Sequence, residues 1–296
     1  IKPVGNTDSP GLERLAAFQG GIVDMAILPP SEWRQLRDSG TEVGSVLSRQ
    51  SGTGVALSFN VQSQQIADVA VRRAIWRAID PWNYVDTVWS GQGFVSLGIP
   101  VRSPASLLSR DEMRGQYFAD PGMARDALAE VVGNLDIEIT VRTESFGDVY
   151  VGLEQRLTDD LKQVGFNPTI RRLDPAQFRD VVLNQRDYQI ALGVLPPTST
   201  TNSFLTALLH SKGRWNISGH KDRELDAMIE MQASEFNPIR REELLKEIQR
   251  RVLNQAYLFS PVTGASRWVF DPQVRGFYPN TALSEYLYWS RVWLDR

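Results

Sequence analysis

An α/β fold in which a split outer lobe holds an inserted lobe is the architecture that this 296-residue sequence predicts. Three observations lead to it. Residues 135–194 switch between strand and helix periods in the order β-α-β-α-β. Both ends of the chain are rich in strand-forming residues, and the last segment in aromatic ones. Between the β-rich start and the alternating unit lies an amphipathic helical elbow, residues 68–91, around which the rest is organised.

The elbow reads DVAVRRAIWRAIDPWNYVDTVWSG. Asp68 is suited to cap a helix, and Val71, Ala74, Ile75, Ala78 and Ile79 follow at helical spacing. These five apolar groups share one face, which leaves Arg72, Arg73, Trp76 and Arg77 mostly off it. Asp80-Pro81 ends this helix and starts another, with Pro81 at a first helical position. Val85 and Val88 continue the apolar face, and Gly91 stands where a left-handed cap falls.

Upstream, Ser9-Pro10 opens a short helix through Leu12, Leu15 and Ala16, which Gly20-Gly21 closes. Residues 22–28 read as a buried strand, and Ser31 as the cap of a helix around Trp33 and Leu36. Two β-rich runs, 43–49 and 53–61, flank a Gly-bearing turn. Downstream of the elbow, residues 93–110 are rich in Pro, Gly and Ser and read as an irregular surface loop. Asp120-Pro121 starts a helix carrying Ala124, Ala127, Leu128 and Val131.

The alternating unit follows. Leu135, Ile137, Ile139 and Val141 form a strand, and Leu153, Leu157, Leu161 and Val164 a helix that ends at Gly165. Residues 169–173 are a second strand, Asp174-Pro175 starts a helix through Phe178, Val181 and Val182, and residues 188–194 are a third strand. Phe204, Leu205 and Leu208 mark a short helix, and Asn237-Pro238 caps one with Leu244, Leu245, Ile248 and Val252. The final segment, 257–293, returns to the first sheet. The layout expected is therefore residues 1–60 in lobe I, 61–261 as an α/β lobe, and 262–296 back in lobe I, with hinges near 60–63 and 260–263.

Composition narrows the function. Hydrophobic content of 42% and charged content of 23% are ordinary for a globular protein. A net charge of −3 offers no basic field for nucleic acid. No apolar run approaches the roughly 20 residues of a membrane span. There is no cysteine, and His210 and His220, the two histidines, read as surface residues beside helix ends. Nothing has metal-ligand spacing, and no cofactor is implied. No G-x-S-x-G turn or Gly-rich phosphate loop follows a strand. Asp159-Asp160 sits on a polar helix face. An enzyme is not the expectation.

The informative passage is the loop after the third strand: Leu195, Pro196, Pro197, Thr198, Ser199, Thr200, Thr201 and Asn202. Strands of α/β sheets deliver ligand-contacting loops at their C-terminal ends, and this one is dense in hydroxyls. Of eight tryptophans, Trp215 is the candidate for stacking on a ligand; the others read as core or interface packing.

The elbow also carries a resemblance. Phe59-Asn60, a short spacer, D-V-x-V-R-x-A-I-x-x-A-I-D, a V-x-x-V helix and the turn at 91–93 resemble the signature of family 5 extracellular solute-binding proteins. N-x-S-G at 216–219, followed by E-L-D-x-M-I, is a further match. The family comprises the peptide, opine and nickel-chelate binding subunits of ABC importers. The resemblance implies a periplasmic binding protein-like fold (type II, cluster C), with two lobes joined by a hinge. It implies that this chain is the C-terminal portion of a longer protein, with the N-terminal part of the family fold absent. It also implies a monomer outside the cytoplasm, periplasmic or extracellular, lipid-anchored or free, that carries a small peptide-like or oligosaccharide-like ligand to a membrane permease. A ligand-sensing domain of a transcription regulator is the alternative.

In dipeptide-binding relatives an acidic residue holds the ligand ammonium and an Arg holds its carboxylate. The matching positions here are Pro197 and Glu144, with the aromatic residue of the same turn at Phe146. A buried ion left unpaired costs several kcal/mol. The loop and Trp215 therefore point to an uncharged ligand such as an oligosaccharide, and Glu144, where it faces the cleft, to a cationic one, in preference to an unmodified dipeptide.

Overall fold

Among the described residues, one mixed sheet of seven strands joins the first strand and the long strand ending at Phe270 to the α/β unit, whereas the last described residues pair in a separate ribbon and do not return to this sheet. The computed structural model describes residues 12–101, 103–131, 135–143, 148–194, 198, 200–278 and 290–295. The strands are β1 (Met25–Leu28), β2 (Gly44–Phe59), β3 (Gly93–Ser96), β4 (Asp136–Arg142), β5 (Asn167–Leu173), β6 (Ile190–Val194) and β7 (Leu258–Phe270). Their order is β1-β7-β2-β6-β4-β5, and β3 pairs with the first half of β7. β4 runs parallel to both β5 and β6, whereas β2 pairs antiparallel with β6 and β7. A separate ribbon joins β8 (Val274–Arg275) to β9 (Trp293–Leu294).

The helices follow the capping signals. They are α1 (Leu12–Gln19), α2 (Pro30–Asp38), α3 (Val69–Ala78), α4 (Pro81–Thr87), α5 (Arg110–Gln116), α6 (Pro121–Ala129) and α7 (Asp148–Gln163). After these come α8 (Pro175–Phe178) and α9 (Thr201–Phe204), each continued by wider π-type turns, then α10 (Arg223–Ser234) and α11 (Pro238–Gln255). Asp68 caps α3 by accepting from the Ala70 amide, and Asp80 caps α4 by accepting from Trp82 and Asn83. Asn237 does the same for α11. In α2 the helix starts one residue before Ser31, with Pro30 in its first turn and no side-chain cap.

The main core lies between the sheet and α3, α4, α6, α7 and α11. Ala74, Ile75 and Ile79 are fully buried, as their spacing predicts. Trp76 and Arg72 are buried as well, against the expectation that they lie off the apolar face. A wider stripe of α3 is covered because β2 and β7 meet beneath it. Trp76 packs on Phe59 from β2 and Phe259 from β7, with ring centroids 4.5 and 5.5 Å away, and on Phe118 at 5.9 Å. Arg72 is held by backbone carbonyls: its guanidinium donates to Ile66 (2.9 Å) and Ala67 (2.6 Å), and to Gln255 (2.9 Å) at the end of α11. A buried cation is tolerable only with such a set of acceptors.

Other expectations need correction. The runs 43–49 and 53–61 form one strand, because the Gly-bearing stretch is taken up as a register shift between Arg49 and Gly54. The expected strand at 22–28 shortens to β1, leaving Ile22 exposed. Residues 93–100 are largely inside: Val95, Leu97 and Ile99 are core, and the Ser96 hydroxyl meets that of Thr263 at 2.5 Å. Gly93 permits this, since a Cβ there would lie 2.6 Å from the Val262 side chain. On α7, Asp159 is exposed, but Asp160 is half-buried and accepts from the Tyr84 hydroxyl at 2.5 Å.

A second, smaller core joins α1, β1 and α2 to the far end of β7 through Leu15, Leu28, Leu36 and Val269. Glu32 of α2 is also buried there, with one carboxyl oxygen lacking a hydrogen-bond partner. Burial raises its pKa from 4.5 to about 7, against a backbone hydrogen bond at Leu15 and the nearby Arg14 charge.

Two outcomes are expected. Ile75→Ala removes a fully buried side chain and should cost about 2–5 kcal/mol in a denaturant titration. Between pH 4.5 and about 7 the folded chain keeps a proton on Glu32 that the unfolded chain releases, so stability should fall as pH rises through that window. Denaturation midpoints across the window should flatten in Glu32→Gln relative to the wild type.

Candidate functional site

The sheet topology brings two loop origins together. β4 and β6 are parallel neighbours, with Val141 opposite Leu192, so their C-terminal ends lie side by side. From β4 the chain leaves through Thr143, whose amide and hydroxyl both donate to the Leu173 carbonyl (2.8 and 2.9 Å). Glu144 and Phe146 come next and lie outside the described residues. From β6 the chain leaves into Leu195, Pro196, Pro197 and Ser199, which lie outside them too.

The other predicted residues divide into two groups. Thr200 caps α9 in a reciprocal bond with Ser203. The Thr201 hydroxyl donates to the Pro100 carbonyl at 2.5 Å. Asn202 accepts from Gln232 (2.7 Å) and Arg241 (3.1 Å) through one side-chain oxygen. These three residues shape the fold around the loop. Thr198 differs, because its hydroxyl oxygen is enclosed and has no hydrogen-bond partner among the described residues.

Thr198 and Trp215 meet at an open recess of about 470 Å³, whose walls also include Ser203, Thr206, Lys212 and Arg214. The turn that delivers Trp215 is tight: the Trp215 amide donates to Ala207 at 2.8 Å, and a Cβ on Gly213 would lie 2.5 Å from the same carbonyl oxygen. The Arg214 guanidinium lies over the Trp215 indole, 4.0 Å from the ring centroid. Sequence reading missed Lys212 and Arg214. Single exposed cations between a helix and a motif carry no periodicity, and only the turn at Gly213 turns them toward Thr198.

The N-x-S-G motif supports this wall. The Asn216 side chain donates to the His220 carbonyl (3.0 Å) and accepts from the Gly219 amide and the Ser218 hydroxyl, both at 3.1 Å. Gly219 has φ +68°, a left-handed conformation that glycine adopts without strain. The turn then grips the end of β2: the Val61 amide donates to Ser218, and the Gln62 side chain to Gly219, both at 3.0 Å. Asn60, the polar half of the Phe59-Asn60 pair, donates to the Arg186 and Tyr188 carbonyls at 2.9 Å and accepts from the Gln62 amide.

His220, expected at the surface, is buried and stacked on Tyr257 with centroids 4.1 Å apart. Its ring nitrogens meet the Ser218 hydroxyl (2.5 Å) and the Leu209 carbonyl (2.7 Å), and burial lowers its pKa. Among the described residues, no three carboxylates, histidines or cysteines gather as a metal site.

Residues 10–216 match the family model of bacterial extracellular solute-binding proteins, family 5 (middle region). The chain belongs to that family. It is 23% identical over 276 residues to heme-binding protein A of Haemophilus influenzae, covering 89% of this chain and 49% of that protein. The fold superposes on the ABC transporter substrate-binding protein CtaP of Listeria monocytogenes with a TM-score of 0.78 at 18% identity, over 95% of this chain and 58% of that one. It also matches NikA of Brucella suis, solved with Fe(III)-EDTA, with a TM-score of 0.72 at 18% identity over 90% and 57%. For the oligopeptide-binding protein AppA of Bacillus subtilis, solved with a nonapeptide, the TM-score is 0.69 at 14% identity over 95% and 58%. The chain thus spans about half the length of the curated relative and under three fifths of these solved ones. These matches give the regulator alternative no support. Among the described residues, no helix is long and apolar enough to cross a membrane.

Asn60→Ala should cost about 2–4 kcal/mol, since the change leaves one buried carbonyl, one part-buried carbonyl and one amide without the Asn60 side chain. Amide exchange should report the loss first at Gln62, whose N–H bonds to the Asn60 side chain. Unchanged protection at Gln62 would show that Asn60 does not hold the end of β2.

Proposed function

We infer that this chain forms part of the substrate-binding component of an ABC importer and captures a small peptide-like or oligosaccharide-like ligand for a membrane permease. Family membership supports the transport role. The single observation that carries the site is the recess at the C-terminal end of β6, which Thr198 and Trp215 line together with Lys212 and Arg214. The protein works as a monomer outside the cytoplasm, periplasmic or lipid-anchored at the cell envelope.

In this reading residues 1–60 and 262–296 belong to one lobe and 61–261 to the other. The separate core around Leu36 and Val269 supports that division. Ligand closes the lobes about the Asn60 knot and the β7 segment at 260–263, and the closed form docks on the permease. Glu144 and Phe146 complete the site from the end of β4, beside Leu195, Pro196, Pro197 and Ser199. Pro197 and Glu144 stand where dipeptide binders hold an acid and an Arg, which disfavours an unmodified dipeptide zwitterion.

Mild denaturation of the full-length protein should release a small molecule that mass spectrometry identifies. Added back, that compound should contract the protein in solution scattering. Its affinity should fall about tenfold or more in Trp215→Ala, as expected for loss of a stacking contact worth about 1.4 kcal/mol or more. Wild-type affinity in both Trp215→Ala and Thr198→Val would place the ligand elsewhere.

A further inference from the structure

The loop at 195–202, read by composition, points to an uncharged ligand, and Glu144 to a cationic one, but the recess adds positive charge of its own. Lys212 and Arg214 flank Gly213, and both line the recess, whereas among the described residues no carboxylate does. Among the described residues neither cation has an ion pair. The Arg214 guanidinium lies on the Trp215 indole at 4.0 Å. Stacking of this kind fixes the plane of a flexible side chain and leaves its in-plane N–H groups free to grip an oxyanion in a fork. The backbone below is anchored, with Gly213 donating to His210 and Trp215 to Ala207, each at 2.8 Å. The Thr198 hydroxyl, enclosed in the same wall, has no hydrogen-bond partner among the described residues, and the exposed Ser203 and Thr206 share that wall.

We propose that this recess seats an anionic group of the ligand, a carboxylate or comparable oxyanion. Lys212 supplies a mobile point charge and Arg214 the directional donors, with the exposed Thr206 on the same wall. The assignment rests on the recess being the ligand site. It places the anion anchor at 212–214 rather than at position 144, where dipeptide-binding relatives carry an Arg and this chain has Glu144. The anion can be the C-terminus of a peptide or the acid of a sugar; both present the same group to the fork.

The test uses full-length protein stripped of ligand and calorimetry against two matched pairs: N-acetyl-trialanine and its C-terminal amide, and trigalacturonic acid and its methyl ester. One acid should bind at least tenfold tighter than its neutral partner, and which pair shows this identifies the source of the anion. The preference should vanish in the K212Q/R214Q double variant, whose Tm should stay unchanged because both side chains are exposed. Neutral partners binding as tightly as the acids would overturn the anion assignment and leave the transport reading intact. So would an acid preference that survives the double substitution. Binding by neither acid overturns it too. The compound released from the native protein then decides the wider reading, which stands if a neutral molecule is recovered and falls if none is.

Discussion

The antiparallel pairing of β2 with β7 is the constraint on which the rest depends. These strands have 16 and 13 residues, about 50 and 40 Å when extended, and they serve both cores. Val269, near the far end of β7, packs with Leu36 and Leu28, whereas Phe259 and Val262, near its start, belong to the main core. Because the same two strands underlie both cores, displacing one core against the other must be absorbed within them. The aromatic set of Phe59, Trp76, Phe118 and Phe259 sits where α3 crosses this pair, and Arg72 binds the last carbonyls of α11 just before β7 begins. The elbow is therefore a clamp on the strand pair more than a separate helical unit.

A polar counterpart to that clamp links the strands to the recess. Asn60 closes the end of β2 onto the carbonyls before β6, and the Asn216 turn closes onto Val61 and Gln62. The same turn sets Trp215 through a backbone bond to Ala207. The position of the indole is thus tied, through a few buried hydrogen bonds, to the end of the strand that reaches both cores. Two short motifs far apart in sequence, Phe59-Asn60 and N-x-S-G, are two halves of one joint.

The fold was largely legible because periodicity reports burial. Ile75, Ile139, Leu157 and Ile248 all lie on predicted faces and are all buried. What periodicity missed was polar or out of phase. Trp76 and Arg72 lie off the apolar stripe of α3, yet the β2–β7 pair covers Trp76 and the carbonyls of Ile66, Ala67 and Gln255 receive Arg72. Residues 93–100 have the composition of a loop, but their Gly and Ser allow close approach and buried hydroxyl contacts against β7. His220 reads as a lone surface histidine, and only its carbonyl, hydroxyl and ring partners make its burial tolerable.

The candidate site shows why composition is a weaker guide to ligand than to fold. Counted by residue type, residues 198–202 are a row of hydroxyls and an amide. The structure then draws on them first for itself: Thr200 caps α9, Thr201 binds Pro100, and Asn202 bridges Gln232 and Arg241. In the proposed site only the groups left over can meet a ligand, and among the described residues of this recess they include an indole, two cations and the exposed Thr206. That remainder has a different charge from the loop that suggested the site. A turn with no apolar pattern, pinned by the close approach of Gly213 to the Ala207 carbonyl, brings the cations in. In this chain the proposed ligand chemistry is therefore read by subtraction, after the hydrogen bonds of the fold have been assigned.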